Sequence, residues 1–405
     1  MRVILSAPGS RGDVNPMVAI GKELLERGHD VVISLAEPYA EIASAAGLTV
    51  EPVISRQQFE DAIGTATVWR PIRGPITVFR LIIADYLPLH QEVIHKYHQP
   101  GNTVLVSHPL DLASRIFRDA NPETPLASVL LQPVTLRTPE NPARLSPWCF
   151  EVSKPAWFLR MSYWFADALV LDPILRKRVN AQRRDYQLPP VRRIMNEWWL
   201  SPDRLLGMFP DWFAPATRSF CPRLVHCGFP LNDGSSQPMS VPDDRPIVFT
   251  AGTAHQHCRA FFETATKACQ ELDLPGILLT THTENIPTEL PPSVRPLSYV
   301  SLGQLLPHCR AIVHHGGIGT TSQALAAGIP QVIRPLAFDQ FDNANRVELM
   351  DAGAWLRKDA DLARVLKQVL DLDVPNSLEL CKQRLQDSDA PSTAATEIET
   401  LLTHK

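Results

Sequence analysis

A glycine-rich segment in the last third of the chain carries the strongest chemical signal. The apolar residues 311–313 run into HHGGIGT at residues 314–320, and the helical pattern TSQALAAG follows. Glycines let backbone N–H groups approach a ligand closely, and a helix N-terminus adds unpaired donors and a partial positive charge. The turn therefore predicts a phosphate or pyrophosphate site, with a merely tight turn as the alternative. It is neither a Walker loop nor a G-x-G-x-x-G dinucleotide fingerprint.

Asp339 and Gln340 follow the next predicted strand, residues 331–333. Carboxylate and amide groups are poor phosphate ligands but good partners for sugar hydroxyls, which both donate and accept hydrogen bonds. Beside a phosphate site, this pair indicates a nucleotide-sugar. The alternative, in which Asp339 caps the helix QFDNANRVELM, stays open.

The elements that must position these loops follow from an alternation of apolar runs with helical patterns. The predicted strands are RVILSAP, DVVISLA, LTVEPV, TVLVSH, LASVLLQ and LLGMFP in the first half, and PIVFTAG, GILLTT, VRPLSYV, AIVHHGG and PQVIRPL in the second. This alternation predicts α/β architecture with parallel, doubly wound sheets, where ligands bind at the carboxyl ends of the strands. We expect two Rossmann-like domains that face a central cleft.

The domain boundaries come from a change of composition. At residues 233–245 the apolar periodicity gives way to Gly, Ser, Pro and Asp, which indicates a linker. We predict an acceptor-binding domain over 1–232 and a nucleotide-sugar-binding domain over 246–385. A C-terminal helix at 386–405 could pack back on the first domain. The Trp- and Pro-rich stretches 133–163 and 188–202 either fill the core or shape a pocket.

Composition excludes several classes of protein. A net charge of −4 over 405 residues argues against a nucleic-acid surface. The stretch PAWFLRMSYWFADALVLDPIL is interrupted by Arg160, Asp167 and Asp172, which indicates an amphipathic or acceptor-lining helix rather than a membrane span. The first residues lack the long apolar core of a secretory signal, so a cytoplasmic protein is expected. No metal site is predicted. No D-x-D triplet follows a predicted strand, and the pair His255 and His257 in the segment HQH lacks a third ligand.

The segments described above resemble a known family. HHGGIGT with the closing Asp339 and Gln340 is similar to the donor signature of the inverting GT-B glycosyltransferases that use UDP- or dTDP-sugars. GSRGDVNP resembles the corresponding start of the bacterial and sterol-glucosyltransferase branch. Within the family, the rhamnosyltransferases of rhamnolipid biosynthesis show the strongest resemblance, through segments that include MFPDWFAP, CGFPLNDGS and YVSLGQLLPHC.

The resemblance implies roles for individual residues. It places the donor diphosphate against His314, against Thr253, and against the backbone amides of Gly316, Gly317, Ile318, Gly319 and Thr320. It places the sugar against Asp339 and Gln340, and the nucleoside base against the turn around Val300. It implies no cofactor and no metal beyond the donor substrate, a dTDP- or UDP-sugar.

Transfer of a sugar to a hydroxyl with inversion needs a general base. Asn15 followed by Pro16 has the pattern of an N-cap and a first helical residue, which would leave Asp13 free. We therefore predict Asp13 as the catalytic base. His108, after another strand, either contacts Asp13 or the acceptor or is only solvated.

The rest of the opening turn is predicted to lie beside the donor. Ser10, Arg11 and Gly12 are the candidates. Arg11 would pair with a donor phosphate, orient Asp13, or be an ordinary exposed arginine.

Several functions stay open at this point. The resemblance favours transfer of L-rhamnose from dTDP-L-rhamnose to a lipidic hydroxyl, such as that of a hydroxyalkanoyloxy-alkanoate. Glucose transfer from UDP-glucose to a sterol, polyketide or other small hydrophobic acceptor is the second reading. A nucleotide-sugar epimerase and a non-catalytic nucleotide-sugar-binding auxiliary subunit are the rivals. A lipid acceptor would be compatible with peripheral association at the inner membrane, which nothing in the sequence requires, and the oligomeric state is open.

Overall fold

The computed structural model describes the 405-residue chain with the exception of residues 71–72, 82–85, 139–141, 143, 145–154, 217–220, 232–241, 253–257, 299, 372–375 and 404–405. The chain forms two compact units. The first comprises Met1–Ala143, Trp148–Pro230 and Asp389–Lys405, and the second comprises Arg144–Pro147 and Leu231–Ser388.

The first unit is built on a parallel sheet with the strand order β3-β2-β1-β4-β5-β6-β7. Its strands are β1 (Arg2–Ala7), β2 (Asp30–Ala36), β3 (Thr49–Ile54), β4 (Thr103–Ser107), β5 (Leu126–Leu130), β6 (Arg204–Gly207) and β7 (Leu224–His226). Its helices before the second unit are α1 (Arg11–Glu26), α2 (Ala40–Ala45), α3 (Arg56–Gly64), α4 (Arg73–Leu81), α5 (Leu87–Tyr97), α6 (Ala113–Ala120), α7 (Ala156–Ala166) and α8 (Asp172–Asp185).

Apolar residues on both faces of this sheet are buried. Along β1, Val3 and Leu5 belong to one core cluster, and Ile4 belongs to the cluster on the opposite face. Successive side chains of a strand point to opposite faces, so a strand that is covered on both sides reads as a continuous apolar run. This is why RVILSA shows no polar alternation.

The second unit has a parallel sheet with the order β10-β9-β8-β11-β12-β13. Its strands are β8 (Ile247–Thr250), β9 (Gly276–Leu279), β10 (Val294–Leu297), β11 (Ala311–His314), β12 (Gln331–Ile333) and β13 (Gly353–Trp355). Its helices are α9 (Arg259–Leu272), α10 (Leu302–Leu305), α11 (Ile318–Ala327), α12 (Gln340–Leu349), α13 (Leu362–Asp371) and α14 (Asn376–Gln386). Two Rossmann-like parallel sheets with helices are therefore present, as the sequence predicted.

The final helix, α15 (Ala390–Thr403), belongs to the first unit. Its Ala394 and Ile398 lie in the same core cluster as residues of α1. At its surface, the Arg27 guanidinium donates to the Glu399 carboxylate at 2.8 Å. This contact lies within the first unit, so the C-terminal segment completes that unit's core.

The unit boundaries differ from the predicted ranges at one internal point. Arg144, inside the range predicted for the first domain, belongs to the second unit, where its backbone amide donates to the Asp342 carboxylate at 3.1 Å. Most of the predicted linker, 233–245, falls outside the described residues.

The tryptophans of the two Trp-rich stretches have different environments. Trp198 and Trp199 are buried in the first unit's core, which confirms core filling for the stretch 188–202. Trp157 and Trp164 on α7 are exposed instead. In the described part of the chain, no helix has the length and apolar character needed to cross a bilayer.

Candidate functional site

The sheet of the second unit brings two loops together at its carboxyl edge. Strand order changes direction between β8 and β11, which pair in register from Ala311 opposite Ile247 to His314 opposite Thr250. In such sheets the crevice for a ligand opens at this point, because the connections leave the two strands on opposite faces. The glycine turn follows β11, and the TAG segment that begins at Thr250 follows β8.

Gly316 makes the glycine turn possible. Its φ is +92°, a conformation that side chains with a Cβ rarely adopt. A Cβ at this position would also lie 2.6 Å from Cγ2 of Ile333. The next residue, Gly317, is the N-cap of α11. The turn is therefore tight, and it delivers the chain directly to a helix N-terminus.

The first turn of α11 leaves room for a ligand. The first backbone hydrogen bond of this helix joins the Thr321 amide to the Gly317 carbonyl, so the preceding amides of a helix have no intrahelical partner. Gly319 is exposed, and a Cβ built on it would have no heavy atom within 4 Å. The amides of Ile318, Gly319 and Thr320 thus have the arrangement that an anion needs.

His314 is not placed to contact a phosphate, which corrects the role predicted for its ring. The side chain is fully buried, Nε2 lies 3.0 Å from Oε1 of Gln331, and Nδ1 accepts the Gly316 amide at 3.1 Å. Burial, reinforced by the charge of the neighbouring His315, lowers the pKa of His314 to about 3. A neutral ring with both nitrogens engaged can fix the turn, but it cannot neutralise a leaving group.

His315 is the histidine that lies at the turn. Its ring is half-buried, and a Cβ at Gly252 would lie 2.6 Å from Cε1 of that ring. A Cβ at Gly317 would lie 2.6 Å from Nε2. The imidazole thus packs against one glycine of each loop, Gly252 after β8 and Gly317 in the glycine turn, and a Cβ at either position would clash with it. Sequence reasoning chose the other histidine because it could not tell which ring faces the interior.

The loop that precedes α12 is organised by Gln340. This side chain is buried, and its Oε1 accepts the amides of Leu336 and Ala337 at 2.8 and 3.1 Å. Its carbonyl oxygen is therefore committed to the loop, and only its amino group is left for a sugar hydroxyl. Phe338, two residues before Gln340, has a φ of +57°, an uncommon conformation for a residue with a side chain.

Asp339 occupies the N-cap position of α12 but makes no side-chain capping bond. Its Oδ2 instead accepts the side-chain amide of Asn343 at 2.7 Å, and the same amide donates to the Gly316 carbonyl at 2.8 Å. Asn343 is fully buried and was missed by sequence reasoning. It connects the predicted sugar-binding loop to the glycine turn.

Two other residues predicted to contact the donor are Val300 and Thr253. Val300 is half-buried against the core cluster that contains Leu305, and it immediately precedes Ser301, the N-cap of α10. Its backbone, not its side chain, is therefore the part that could read a base. Thr253 lies outside the described residues, as do His255 and His257. Among the described residues, no three His, Cys, Asp or Glu side chains are grouped as metal ligands would be.

In the first unit, α1 begins earlier than predicted. Ser10 is the N-cap, Arg11 is the first helical residue, and Pro16 lies inside the helix. The Asp13 carboxylate accepts the Ser10 amide at 2.8 Å and the Ser10 hydroxyl at 3.0 Å through Oδ2. The predicted N-cap at Asn15 is therefore wrong, and Asp13 was not left over by the cap: it belongs to a capping box.

Only one oxygen of Asp13 takes part in the cap. The other, Oδ1, lies 3.5 Å from Nε2 of His108, an ion-pair distance. Asp13 and His108 follow β1 and β4, which are adjacent where the strand order changes direction. The topology therefore explains why two residues far apart in the sequence face each other.

The hydrogen bonds of His108 determine its tautomer. Its Nδ1 accepts the Leu110 amide at 3.2 Å, so the neutral ring carries its proton on Nε2. Nε2 is buried and makes no short hydrogen bond among the described residues, and the acceptor that it faces is Oδ1 of Asp13 at 3.5 Å. In this form His108 is a donor toward Asp13, and Asp13 is the member of the pair that can accept a proton.

The electrostatics of the pair keep Asp13 ionised. Burial raises the pKa of Asp13, but the adjacent His108 imidazole and the Ser10 hydrogen bonds outweigh it, so the pKa lies below the usual carboxyl value. The carboxylate also lies close to Gly9. A Cβ built on Gly9 would lie 2.8 Å from Cγ of Asp13, so glycine leaves the room that this side chain occupies.

Ser10, Arg11 and Gly12 were predicted to lie beside the donor. The amide and hydroxyl of Ser10 both donate to the Asp13 carboxylate instead. Gly12 is exposed, and Arg11 is half-buried. Tyr39, which sequence reasoning missed, lies beside this helix start: burial raises its pKa to about 12 despite a hydrogen bond with the Arg11 backbone.

A buried polar network lies under the His108 loop. The Asp111 carboxylate accepts the Ser6 hydroxyl at 2.6 Å and lies 3.2 Å from Nε2 of His90. Burial opposes ionisation of Asp111, yet His90 and the surrounding hydroxyls lower its pKa to about 2. The backbone amide of Asp111 in turn donates to the His108 carbonyl at 2.8 Å. This network holds the loop that carries His108.

Comparison with known proteins agrees with this picture. Residues 3–91 match the model of the glycosyltransferase family 28 N-terminal domain, and residues 268–403 match the model of the erythromycin biosynthesis protein CIII-like C-terminal domain. A crystal structure of the glycotransferase of kitacinnamycin superposes with a TM-score of 0.77 at 20% identity, with 99% of each chain covered. The spinosyn rhamnosyltransferase SpnG, solved with thymidine diphosphate, superposes with a TM-score of 0.65 at 20% identity, covering 99% of this chain and 100% of that one.

Curated relatives match across most of the chain. The O-mycaminosyltylonolide 6-deoxyallosyltransferase of Streptomyces fradiae is 28% identical over 405 residues, which cover 91% of this chain and 88% of the relative. The sterol 3-beta-glucosyltransferase of Eremothecium gossypii is 26% identical over 401 residues and 89% of this chain. The match spans only 31% of that larger relative. The chain therefore has the fold of the GT-B glycosyltransferases, with one segment that matches the family 28 N-terminal domain and another that matches the EryCIII-like C-terminal domain.

Proposed function

We propose that this protein transfers a sugar from a nucleoside diphosphate sugar to a hydroxyl group of a small apolar acceptor, with inversion at the anomeric carbon. The observation that carries the proposal is the glycine turn. It presents the N-terminus of α11 with open space at Gly319 and with His315 beside it. A diphosphate is the ligand that such a helix start favours.

The proposed reaction assigns one role to each unit. Asp13 in the first unit accepts the proton of the acceptor hydroxyl at Oδ1, while its Oδ2 stays anchored to Ser10. The acceptor oxygen forms a bond to the anomeric carbon as the bond from that carbon to the phosphate oxygen breaks. The nucleoside diphosphate leaves with the electron pair. The amides at the start of α11 stabilise its charge, as donors aimed at a developing anion do.

For the donor, we propose dTDP-L-rhamnose, and for the acceptor a lipidic hydroxyl such as that of a hydroxyalkanoyloxy-alkanoate. The sequence resemblance to rhamnosyltransferases of rhamnolipid biosynthesis supports this choice. The similarity to a spinosyn rhamnosyltransferase solved with thymidine diphosphate supports the thymidine base and the deoxysugar. No cofactor and no metal ion enter the proposed reaction.

Glucose transfer from UDP-glucose to a sterol or polyketide is the second candidate. The 26% identity to a sterol 3-beta-glucosyltransferase over 401 residues favours it. A non-catalytic auxiliary subunit is the third. The position of Asp13 argues against an auxiliary subunit. One carboxylate oxygen caps α1, but the other faces His108, a contact that the helix start does not need.

Thermal-shift measurements with dTDP-L-rhamnose, UDP-glucose and dTDP-glucose test the proposal. We expect dTDP-L-rhamnose to raise the melting temperature most and to be hydrolysed slowly without acceptor. Preference for UDP-glucose would select the second candidate. Stabilisation without hydrolysis or transfer to any hydroxylated lipid would select the auxiliary subunit, and conversion of the sugar alone would indicate an epimerase. If no nucleotide-sugar stabilises the fold, the proposed function is wrong.

A further inference from the structure

Helix α7 exposes an unusual concentration of apolar side chains. Among the residues that the structure describes, six of the eight large apolar side chains that are exposed lie on α7 and the turn after it: Trp157, Met161, Trp164, Phe165, Leu169 and Val170. The other two, Leu349 and Leu380, are single residues on α12 and α14. Scattered exposed leucines are ordinary, but a contiguous apolar patch marks an interaction surface.

We call these six residues the α7 strip. Trp157, Met161, Trp164 and Phe165 have the spacing i, i+4, i+7 and i+8 on α7, which places them along one side of the helix. Leu169 and Val170 follow in the next turn. Trp157 and Leu169 are 64% and 72% exposed. None of the residues of α7 is fully buried, so the helix is not explained by the core of the first unit.

The opposite side of the helix is fixed to the protein. Both guanidinium nitrogens of Arg137 donate to the Asp167 carboxylate at 3.0 Å, and the same guanidinium lies 4.6 Å from the ring centre of Tyr163. Asp167 opens a π-helical turn, Asp167–Leu171, that leads directly into α8. The strip is therefore presented on an anchored helix rather than on a loose loop.

The charges near the strip are mostly of one sign. Of the three acidic side chains between residues 156 and 185, two point inward: Asp167 is bound by Arg137, and Asp172 accepts the Ile194 amide at 3.1 Å. Asp185, the last residue of α8, is exposed. The other exposed charged residues of this segment are basic: Arg160, Arg176, Lys177, Arg178 and Arg184. In a chain with a net charge of −4 this is a local reversal of sign.

We infer that the α7 strip docks on an anionic phospholipid surface. An apolar helix face with tryptophans, bordered by basic side chains, is the combination that lies in the interface of a bilayer, where indole rings are favoured. Basic residues beside the face add attraction to anionic headgroups that weakens with salt. An anionic surface would complement these cations, whereas an uncharged or basic partner would not. This inference does not depend on the proposed function.

Flotation of the full-length protein with vesicles tests the inference. The probe is a mixture of phosphatidylglycerol and phosphatidylcholine, compared with phosphatidylcholine alone. We expect the wild type to float with the anionic vesicles, less so as salt is raised, and to bind the neutral vesicles more weakly. The doubly substituted protein Trp157→Ser with Leu169→Ser should bind on the order of tenfold more weakly, since apolar burial drives insertion. The matched control is Leu349→Ser with Leu380→Ser, which should bind as the wild type does.

A charge variant separates the two contributions. Arg176→Glu with Lys177→Glu should lose the preference for anionic vesicles, while Lys267→Glu with Lys367→Glu, exposed on α9 and α13, should keep it. Circular dichroism and unchanged stabilisation by a nucleotide-sugar check that each variant is folded.

Three results would overturn the inference. The wild type could fail to float with anionic vesicles. The strip variant, Trp157→Ser with Leu169→Ser, could bind as well as its control. Alternatively, light scattering could show a wild-type dimer that the strip variant converts to a monomer, with no vesicle binding by either. That last result would assign the strip to contacts between copies of the chain.

Discussion

Oδ1 of Asp13 faces Nε2 of His108 at 3.5 Å, while Oδ2 of the same carboxylate is held by the amide and hydroxyl of Ser10. The two oxygens therefore have different surroundings. One is used to begin α1, and the other is directed at a buried nitrogen that carries a proton. A carboxylate restrained in this way loses little entropy when it aligns with an acceptor hydroxyl, which offsets its low basicity.

Substitution of Asp13 by Asn tests its role as base. The amide oxygen of Asn can still accept from Ser10, so the helix start should survive, and only the capacity to take up a proton is lost. We expect kcat to fall by roughly 10²–10⁴-fold, the usual contribution of general base catalysis. The dissociation constant of the donor, measured by calorimetry, should change little. Turnover close to that of the wild type would remove Asp13 from this role.

The pH dependence of the reaction should report on His108. This imidazole is a principal cause of the lowered pKa of Asp13, and burial acts in the opposite direction. In His108→Asn the effect of burial remains and the effect of the imidazole is gone, so the pKa of Asp13 should rise. The acid limb of the kcat/KM profile should then move to higher pH than in the wild type. The control is His95→Asn, at an exposed histidine on α5 that contacts Tyr186, and it should leave the profile in place. An unmoved acid limb in His108→Asn would contradict the pairing.

The fold could be predicted from the sequence wherever strands are buried on both faces. The apolar runs of β1, β2 and β11 leave no other reading, and the alternation with helices predicts parallel sheets. The edge strands β7 and β13 were missed because each has only three residues, most of them half-buried, so neither shows a buried apolar run. The equally short β12 is fully buried and was predicted. The start of α1 was placed too late, because Asn15 and Pro16 imitate a helix start that the Ser10–Asp13 pair forms five residues earlier.

The site could be predicted only in part, because motifs do not show which way a ring points. The sequence HHGG identifies a turn, but the fact that His314 faces Gln331 depends on packing across β11 and β12. Asn343 gives no signal in the sequence, since it is one polar residue in a helix. The proximity of Asp13 and His108 is set by the order of strands in the sheet, which a list of strands does not contain.

Substitution of Gly319 by Ala separates donor binding from stability. A Cβ at Gly319 meets no protein atom within 4 Å, so the fold should accept it, and the free energy of unfolding should change by less than about 1 kcal/mol. The added methyl group would occupy the space in front of the α11 amides, so donor affinity should fall on the order of tenfold or more. Gly64→Ala, which also has open space around it, should alter neither quantity. Equal donor affinity for wild type and Gly319→Ala would contradict a diphosphate site at this helix start.

Gly316→Ala should behave in the opposite way. A Cβ there would contact Ile333 and would impose a positive φ on alanine. Overpacking and strain of this kind cost about 1–3 kcal/mol each. Urea unfolding should therefore show a marked loss of stability for Gly316→Ala. Stability equal to that of Gly319→Ala would mean that the turn has the room to relax.

The buried His314 should make the stability of the protein sensitive to mild acid. Burial lowers its pKa to about 3 in the folded state, whereas an unfolded histidine titrates near about 6.5. Between these pH values the unfolded chain binds a proton at His314 that the folded chain does not. The contribution of the neutral ring to the free energy of unfolding is therefore complete above the unfolded pKa and is lost as the pH falls. The contribution to the slope is at most about 1.4 kcal/mol per pH unit. Urea unfolding across this range should show His314→Asn less stable near neutral pH, because Gln331 and the Gly316 amide lose a partner, but with a flatter decline toward acid. The exposed His308→Asn is the control and should decline as the wild type does; parallel declines for all three proteins would show that His314 is not neutral in the folded state.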